Sequence, residues 1–258
     1  AMQHSQFVNA IRFSRDGQWL VTASEDGIAR IWNAATGQPT EKVFQHDGPV
    51  NDAEFSPQGD LLATASDDDT ARLWNVRTGQ PVGEKLTHDH DVRSARFSPD
   101  GRHVVTASKD GAARVWNVAT GNPITSPLQH SIPLWTAEFS PDGQAILAAG
   151  GDGDNGGAAR VWNARTGAPL TPPLRHGNTI RSAIYSPDGR WIATASHDRS
   201  VSLWNASNGA RVGGSLQNTH LMKWVSFSPD GKRLLAAGED EAWTVSYTHL
   251  TLPTNREV

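Results

Sequence analysis

Apolar and polar residues alternate in short runs along most of the chain. Residues 50–56, VNDAEFS, alternate and read as a strand. SPQG (56–59) reads as a turn, with proline presetting φ and glycine accepting φ > 0. LLATAS (61–66) is a mostly apolar strand and DDD (67–69) a tight polar turn. TARLWNV (70–76) is a third strand, and RTGQ (77–80) a third turn. PVGEKLT (81–87) reads as a fourth, outer strand, whose proline and charges suit a sheet edge. No window carries the 3.6-residue apolar period of a helix.

This pattern repeats. FSPDGRHVVTASKDGAARVWN, starting at Phe97, has counterparts starting at Phe13, Phe55, Phe139, Tyr185 and Phe227. The anchors at 13, 55, 97 and 139 step by 42; the next step, to Tyr185, is 46, and the last is 42. The four extra residues lie in GGDGDNGGAARVW of the fourth repeat. Four short strands in each repeat make one propeller blade. The sequence therefore predicts an all-β propeller of about six four-stranded blades. They fall near residues 4–45, 46–87, 88–129, 130–175 and 176–217, with a partial one at 218–244.

Over residues 4 to about 244 the chain resembles the WD40-repeat family, whose motif is His, Ser/Thr, Asp and Trp at fixed places in each blade. The first repeat has His4, Thr22, Asp26 and Trp32, and the second His46, Thr64, Asp68 and Trp74. The third has His88, Thr106, Asp110 and Trp116, and the fifth His176, Thr194, Asp198 and Trp204. The fourth has His130, Asp152 and Trp162, with Ala148 in place of the hydroxyl. The sixth has Asn218, Ala236 and Asp240, while His220 sits two residues out of register. The family's WD dipeptide is WN in all five complete copies. The resemblance implies a hydrogen-bonded chain inside each blade, a structural tetrad rather than a catalytic group, because a catalytic constellation occurs once and this one recurs per blade. The fourth and sixth blades are expected to be the looser ones.

Charge nearly balances, 23 Lys and Arg against 27 Asp and Glu, for a net −4 and a pI near 6.2. A strongly basic nucleic-acid binder is not indicated. There are no cysteines, so disulfides, thiolate metal sites and cysteine nucleophiles are excluded. No apolar run approaches the ~18 residues of a membrane helix, and Ala1-Met2-Gln3-His4 carries no signal-peptide pattern. No nucleic-acid or membrane partner is expected, and the cytoplasm is the favoured location. Metal chemistry has faint candidates only. DGDNG (152–156) lacks EF-hand spacing and its distal Glu. Asp67 and Asp69 read as solvated neighbours of Asp68, and in the His88/His90 pair His88 is committed to its blade. No phosphate loop, G-x-S-x-G or kinase signature occurs. No cofactor, no metal and no enzymatic activity are expected. A propeller hydrolase would need one off-repeat cluster of acids or histidines, and the sequence shows none.

Function is then sought in the loops. The family resemblance implies a peptide-binding face with two positions per repeat. The first set is Asn9, Asn51, Arg93, Trp135, Arg181 and Lys223; the second is Glu25, Asp67, Lys109, Gly151, His197 and Glu239. The first set groups three cations and one Trp in repeats three to six, which suggests an acidic or phosphorylated peptide with Trp135 as apolar anchor. The near neutrality of the second set argues against a uniformly basic face. The leading expectation is a scaffold for proteins or peptides. The alternative is a regulatory or sensor propeller of a larger bacterial signalling protein, since WNAxTGxP repeats look like bacterial WD40 arrays joined to kinases or signalling ATPases.

Residues 245–258 break the pattern. Counting from Asp240, the third-strand Trp belongs at 246, where Ser246 stands. VSYTHLTLPT (245–254) looks like the in-frame translation of a sequencing adapter, so 245–258 is read as a non-native tail. AMQH aligns with VFQH (43–46), so the chain is expected to be a fragment with open sheet edges, which favour oligomers or aggregates.

Overall fold

A computed structural model describes residues 2–153, 155–238 and 242–246. Among them there is no helix; antiparallel strands follow one another in chain order. The chain divides into two compact units, residues 1–139 with 164–167, and 140–163 with 168–258.

In the first unit the first repeat forms Val8–Phe13 (β1), Trp19–Ser24 (β2), Ile28–Asn33 (β3) and Pro39–Gln45 (β4), ordered β1-β2-β3-β4. The second forms Val50–Phe55 (β5), Leu61–Ser66 (β6), Thr70–Asn75 (β7) and Leu86–Thr87 (β8) in the same order. The third forms Val92–Phe97 (β9), His103–Ser108 (β10), Ala112–Asn117 (β11) and Leu128–Gln129 (β12), again in sequence order. Leu134–Phe139 (β13), which opens the fourth repeat, also belongs to this unit.

The second unit holds Ala145–Gly151 (β14), Gly157–Asn163 (β15) and Leu174–His176 (β16). The fifth repeat follows as Ile180–Tyr185 (β17), Trp191–Ser196 (β18), Ser200–Asn205 (β19) and Arg211–Gln217 (β20). Trp224–Phe227 (β21), Arg233–Ala237 (β22) and Ala242–Ser246 (β23) form a three-stranded sheet.

The outer strand is shorter than the sequence predicts in three repeats. In the second, pairing is confined to Leu86–Thr87 and an isolated bridge between Trp74 and Pro81. Gly83, at φ 72°, turns the backbone out of extended geometry between them. Pro127 in the third repeat and Pro172–Pro173 in the fourth lack the N–H that a ladder needs. In the first and fifth repeats the outer strand runs seven residues, Pro39–Gln45 and Arg211–Gln217, each with a register irregularity, although Gly213 stands at the Gly83 position with φ 68°.

Hydrophobic cores lie between successive repeats rather than within one. Val21, Ala23, Ala29, Ile31 and Phe44 of the first repeat pack with Val50, Ala53, Phe55, Leu62 and Trp74 of the second. Ala63, Ala65, Ala71, Leu73 and Leu86 pack in the same way with Val92, Ala95, Phe97, Val104 and Trp116. The second unit repeats the scheme twice. The inner sheets have a neighbour on both faces, so β6, β10 and β18 are buried almost end to end.

In the sixth repeat the register departs from the count. Leu234 pairs with Val245 and Arg233 with Ser246, so the residue opposite Leu234 is one earlier than spacing from Asp240 places it. Asp240 and Glu239 lie outside the described residues, as do residues 247–258 of the tail.

Candidate functional site

Four repeats carry the same hydrogen-bonded chain. Trp74 Nε1–H donates to Thr64 Oγ1 at 2.8 Å. Thr64 Oγ1 lies 2.7 Å from His46 Nε2, and His46 Nδ1 lies 2.9 Å from Asp68 Oδ2. The corresponding distances are 2.8, 2.6 and 2.9 Å for Trp32, Thr22, His4 and Asp26. They are 2.9, 2.7 and 2.9 Å for Trp116, Thr106, His88 and Asp110, and 2.8, 2.7 and 2.8 Å for Trp204, Thr194, His176 and Asp198.

One proton arrangement satisfies every member. The indole donates to the hydroxyl, the hydroxyl to Nε2, and Nδ1–H to the carboxylate, so the imidazole is neutral. Burial also pushes the His46 and His88 imidazoles below their ordinary value, against the pull of Asp68 and Asp110. Burial alone would raise the Asp68 and Asp198 carboxyls. Hydrogen bonds from His46 and Thr70, and from His176 and Ser200, outweigh it and hold both well below the usual carboxylate range. The His backbone meanwhile reaches the preceding repeat: His46 N–H donates to Gly27 O at 2.9 Å and His88 N–H to Asp69 O at 2.9 Å. The second and third tetrads thus each tie two repeats together. This geometry offers no exposed nucleophile or base.

The third-strand arginine, two residues before the Trp, was missed in the sequence reading although it stands in four repeats as Arg30, Arg72, Arg114 and Arg160. Arg72 donates to Asp68 Oδ2 at 2.9 Å, to Asp47 Oδ2 at 3.1 Å and to Gln45 O at 3.1 Å, beside the Trp74 ring. Arg160 lies 5.1 Å over Trp162. The fifth repeat has Ser202 at this position, and Arg211 of β20 takes the place over Trp204 at 4.5 Å.

The remaining motif positions differ. Asp152 is exposed and accepts from Asn155 Nδ2 at 2.9 Å. β14 and β15 run one residue beyond their counterparts, pairing Gly151 with Gly157, so Gly151 is buried in a strand and not in a face turn. Trp162 is buried, and the His130 backbone bonds Gly111 O at 2.8 Å as in the other repeats. Asn218 points its amide at Met222 Sδ, 3.2 Å away, and His220 is half-buried beside it.

A charged cluster lies on the first strands of the first unit. Arg12, Glu54, Arg96 and Glu138 hold the same position in successive repeats and alternate in sign. Asp52, nearly fully buried, pairs with Arg96 and, at 3.4 Å, with Arg12 Nε. Glu54 accepts from Phe97 N–H at 2.8 Å. Burial would raise Asp52, but Arg96 and Arg12 hold it low; burial pushes Glu54 up, and Arg96 offsets this only in part. Acids do therefore gather off the tetrad positions, which the sequence reading did not foresee. Asp52 and Glu54 are both matched by Arg96, so the cluster closes on itself.

The predicted binding face is a network in repeats one to four. Asn9 Nδ2 donates to Val50 O at 3.0 Å, and Asn51 Nδ2 to Val92 O at 2.9 Å and Asp67 Oδ1 at 2.6 Å. Arg93 donates to Asn51 Oδ1 at 3.0 Å and Asp91 Oδ2 at 2.8 Å, and lies 3.1 Å from Asp67. Lys109 Nζ meets the same Asp91 oxygen at 2.7 Å. The Arg93 guanidinium lies 4.9 Å over the half-buried Trp135 ring. Arg93, one of the three cations expected to seek an acidic segment, is thus answered by Asp67 and Asp91, and Lys109 by Asp91. Glu25 is exposed; Arg181, His197 and Lys223 are half-buried in the second unit. Asp69, His90 and Asp91 bring possible ligand atoms within 4.8 Å of one another, with Asp91 already engaged by Lys109 and Arg93.

The WD40 family, described as WD domain, G-beta repeat, matches residues 2–33, 37–75, 79–117 and 170–205, more than half of the 258. The chain belongs to the WD40-repeat family. A stretch of 35 residues is 51% identical to the Notchless protein homolog of Arabidopsis thaliana. It covers 14% of this chain and 7% of that protein. The matched segments omit residues 118–169, which hold the glycine-rich extension and Ala148 of the divergent WD40 repeat. The chain's sheets are WD40 repeats, a type of β-propeller blade that implies a protein-interaction role.

Proposed function

We propose that this chain is a non-catalytic scaffold that holds a peptide segment of a partner protein against Asn51, Arg93, Lys109 and Trp135. Residues 1–244 are the propeller portion in this reading, and 245–258 supply none of the binding residues. The observation that carries it is the Arg93–Trp135 stack, 4.9 Å apart and braced by Asp67 and Asp91. A guanidinium fixed over an indole gives a contact surface that loses little side-chain entropy on binding. Because Asp91 already answers both Arg93 and Lys109, the platform suits an apolar side chain seated on Trp135 with backbone hydrogen bonds around it, rather than a net-acidic segment. Nucleic acid and membranes are not partners in this reading.

Peptides selected from a phage-displayed library on the wild-type chain provide the probe. Fluorescence anisotropy should show their affinity falling at least tenfold in Trp135→Ala and Arg93→Ala, with melting unchanged within a few degrees. Selected peptides that bind both variants at wild-type strength would refute the assignment.

A further inference from the structure

Asp69, His90 and Asp91 converge where the second repeat meets the third, all within the first unit. Asp69 lies in the turn between β6 and β7; His90 and Asp91 lie in the loop ahead of β9. The backbone fixes both loops. Asp69 O accepts from His88 N–H at 2.9 Å, Ser108 Oγ donates to His90 O at 2.8 Å, and Asp91 O accepts from Lys109 N–H at 3.0 Å. The Asp69 and His90 side chains reach solvent, and Asp91 is half-buried beneath them.

This set occurs once, outside the repeating pattern. The place of Asp69 is taken by Gly27 in the first repeat and Gly111 in the third. Gly48 and Pro49 stand where the third repeat has His90 and Asp91, and Asn178 and Thr179 where the fifth would have them. The blade thus forms without these three side chains. The tetrad, by contrast, recurs because the fold needs it.

The His90 ring holds a contact that no proton placement satisfies. Asp91 N–H donates to His90 Nδ1 at 2.9 Å, which requires a lone pair on that nitrogen. Asp91 Oδ1 lies 3.0 Å from the same Nδ1, so two acceptors then face each other. Moving the proton to Nδ1 serves the carboxylate but sets it against the Asp91 N–H. A cation between the ring and Oδ1 turns the acceptor–acceptor contact into two attractions. Arg93 and Lys109 both engage the other oxygen, Oδ2, at 2.8 and 2.7 Å, so Oδ1 is the one turned toward His90.

We propose that Asp69, His90 and Asp91 bind a divalent transition-metal ion of the zinc type, one ligand atom from each, with water completing the shell. The three ligand atoms already lie within 4.8 Å of one another, and small rotations of the exposed Asp69 and His90 close them around an ion. An imidazole with two carboxylates suits zinc, whereas calcium and magnesium take oxygen ligands. The ion pins the β6–β7 turn of one repeat to the loop ahead of β9 in the next. It departs from the expectation of no metal because the ligands come from two repeats that only folding brings together. The site stands whether or not a peptide is seated on Trp135.

Isothermal titration of zinc chloride into the full chain, without an affinity tag, tests this. The wild type should bind one zinc ion per chain. His90→Gln and Asp69→Gly, the latter installing the residue of the first and third repeats, should each weaken binding at least about tenfold with unchanged circular dichroism. His103→Gln, on β10 away from the cluster, should bind as wild type does. Zinc should also raise the melting temperature of the wild type and leave that of His90→Gln unmoved. Heat that never saturates, wild-type affinity in His90→Gln or Asp69→Gly, equal melting shifts in wild type and His90→Gln, or calcium bound as tightly as zinc would each overturn the assignment.

Discussion

Thr64 Oγ1 stands 2.7 Å from His46 Nε2, and it can donate to that nitrogen only while the nitrogen carries no proton. Protonating His46 would set two donors against each other unless the hydroxyl turned to Arg72 O, 3.4 Å away. His88 and Thr106 share this relation.

Stability should therefore fall on acidification in two stages. His46 and His88 have folded-state pKa values below the unfolded value of about 6.5, so the unfolded chain takes up protons first and stability drops as pH falls below that point. Asp68, Asp110 and Asp198 are also depressed, so their contribution, complete above the unfolded value of about 3.9, is lost as pH falls below it. Melting temperature against pH should bend downward near 6.5 and again below 4. His46→Gln should reduce the first bend.

Thr106→Val keeps the side-chain shape and removes the hydroxyl between Trp116 and His88. Both nitrogens then lose a partner while buried, at a cost of about 1–3 kcal/mol each. Urea unfolding should place the variant about 2 kcal/mol or more below wild type. Thr36→Val, in an exposed turn, is the control and should change stability by less than about 1 kcal/mol.

Arg96→Met should cost about 3–5 kcal/mol, because Asp52 would stay buried with only Arg12 near it. Asp52→Leu combined with Arg96→Met should recover part of that loss, since Glu54 still lacks Arg96. Chemical denaturation of the two single variants and the double variant reads the coupling directly.

Gly157→Ala should destabilise the second unit by roughly 2 kcal/mol or more. A Cβ there would clash with Asn178 O and stand 2.8 Å from Ile180 N and 3.0 Å from Gly150 O, all backbone atoms that cannot swing away. Gly214→Ala, in open space, should be nearly neutral. Thermal melts of the two variants make the comparison.

The regular repeat step made three strands of each repeat and the tetrads readable, because turn chemistry and buried polar groups recur with it. The outer strands were less readable: Pro127 or the Pro172–Pro173 pair withholds a ladder N–H without changing the spacing. Fourth-repeat counting from the second strand reached Asp152, but the ladder continues to Gly151 and Gly157 and leaves Asp152 in solvent. The Arg93 pairing was hidden because Asp67 and Asp91 sit in loops of different repeats, and only folding shows that they converge. The alternation of Arg12, Glu54, Arg96 and Glu138 was visible in the sequence but carries meaning only once the first strands lie side by side.

The junction between the first and second repeats and that between the second and third use the same contact, Asn9 to Val50 O and Asn51 to Val92 O, 3.0 and 2.9 Å long. A gene encoding such a chain is tolerant of unequal crossing-over. An in-phase exchange between the first two repeats would remove or insert a whole repeat, and the new neighbours would meet across a seam of the same Asn-to-carbonyl design.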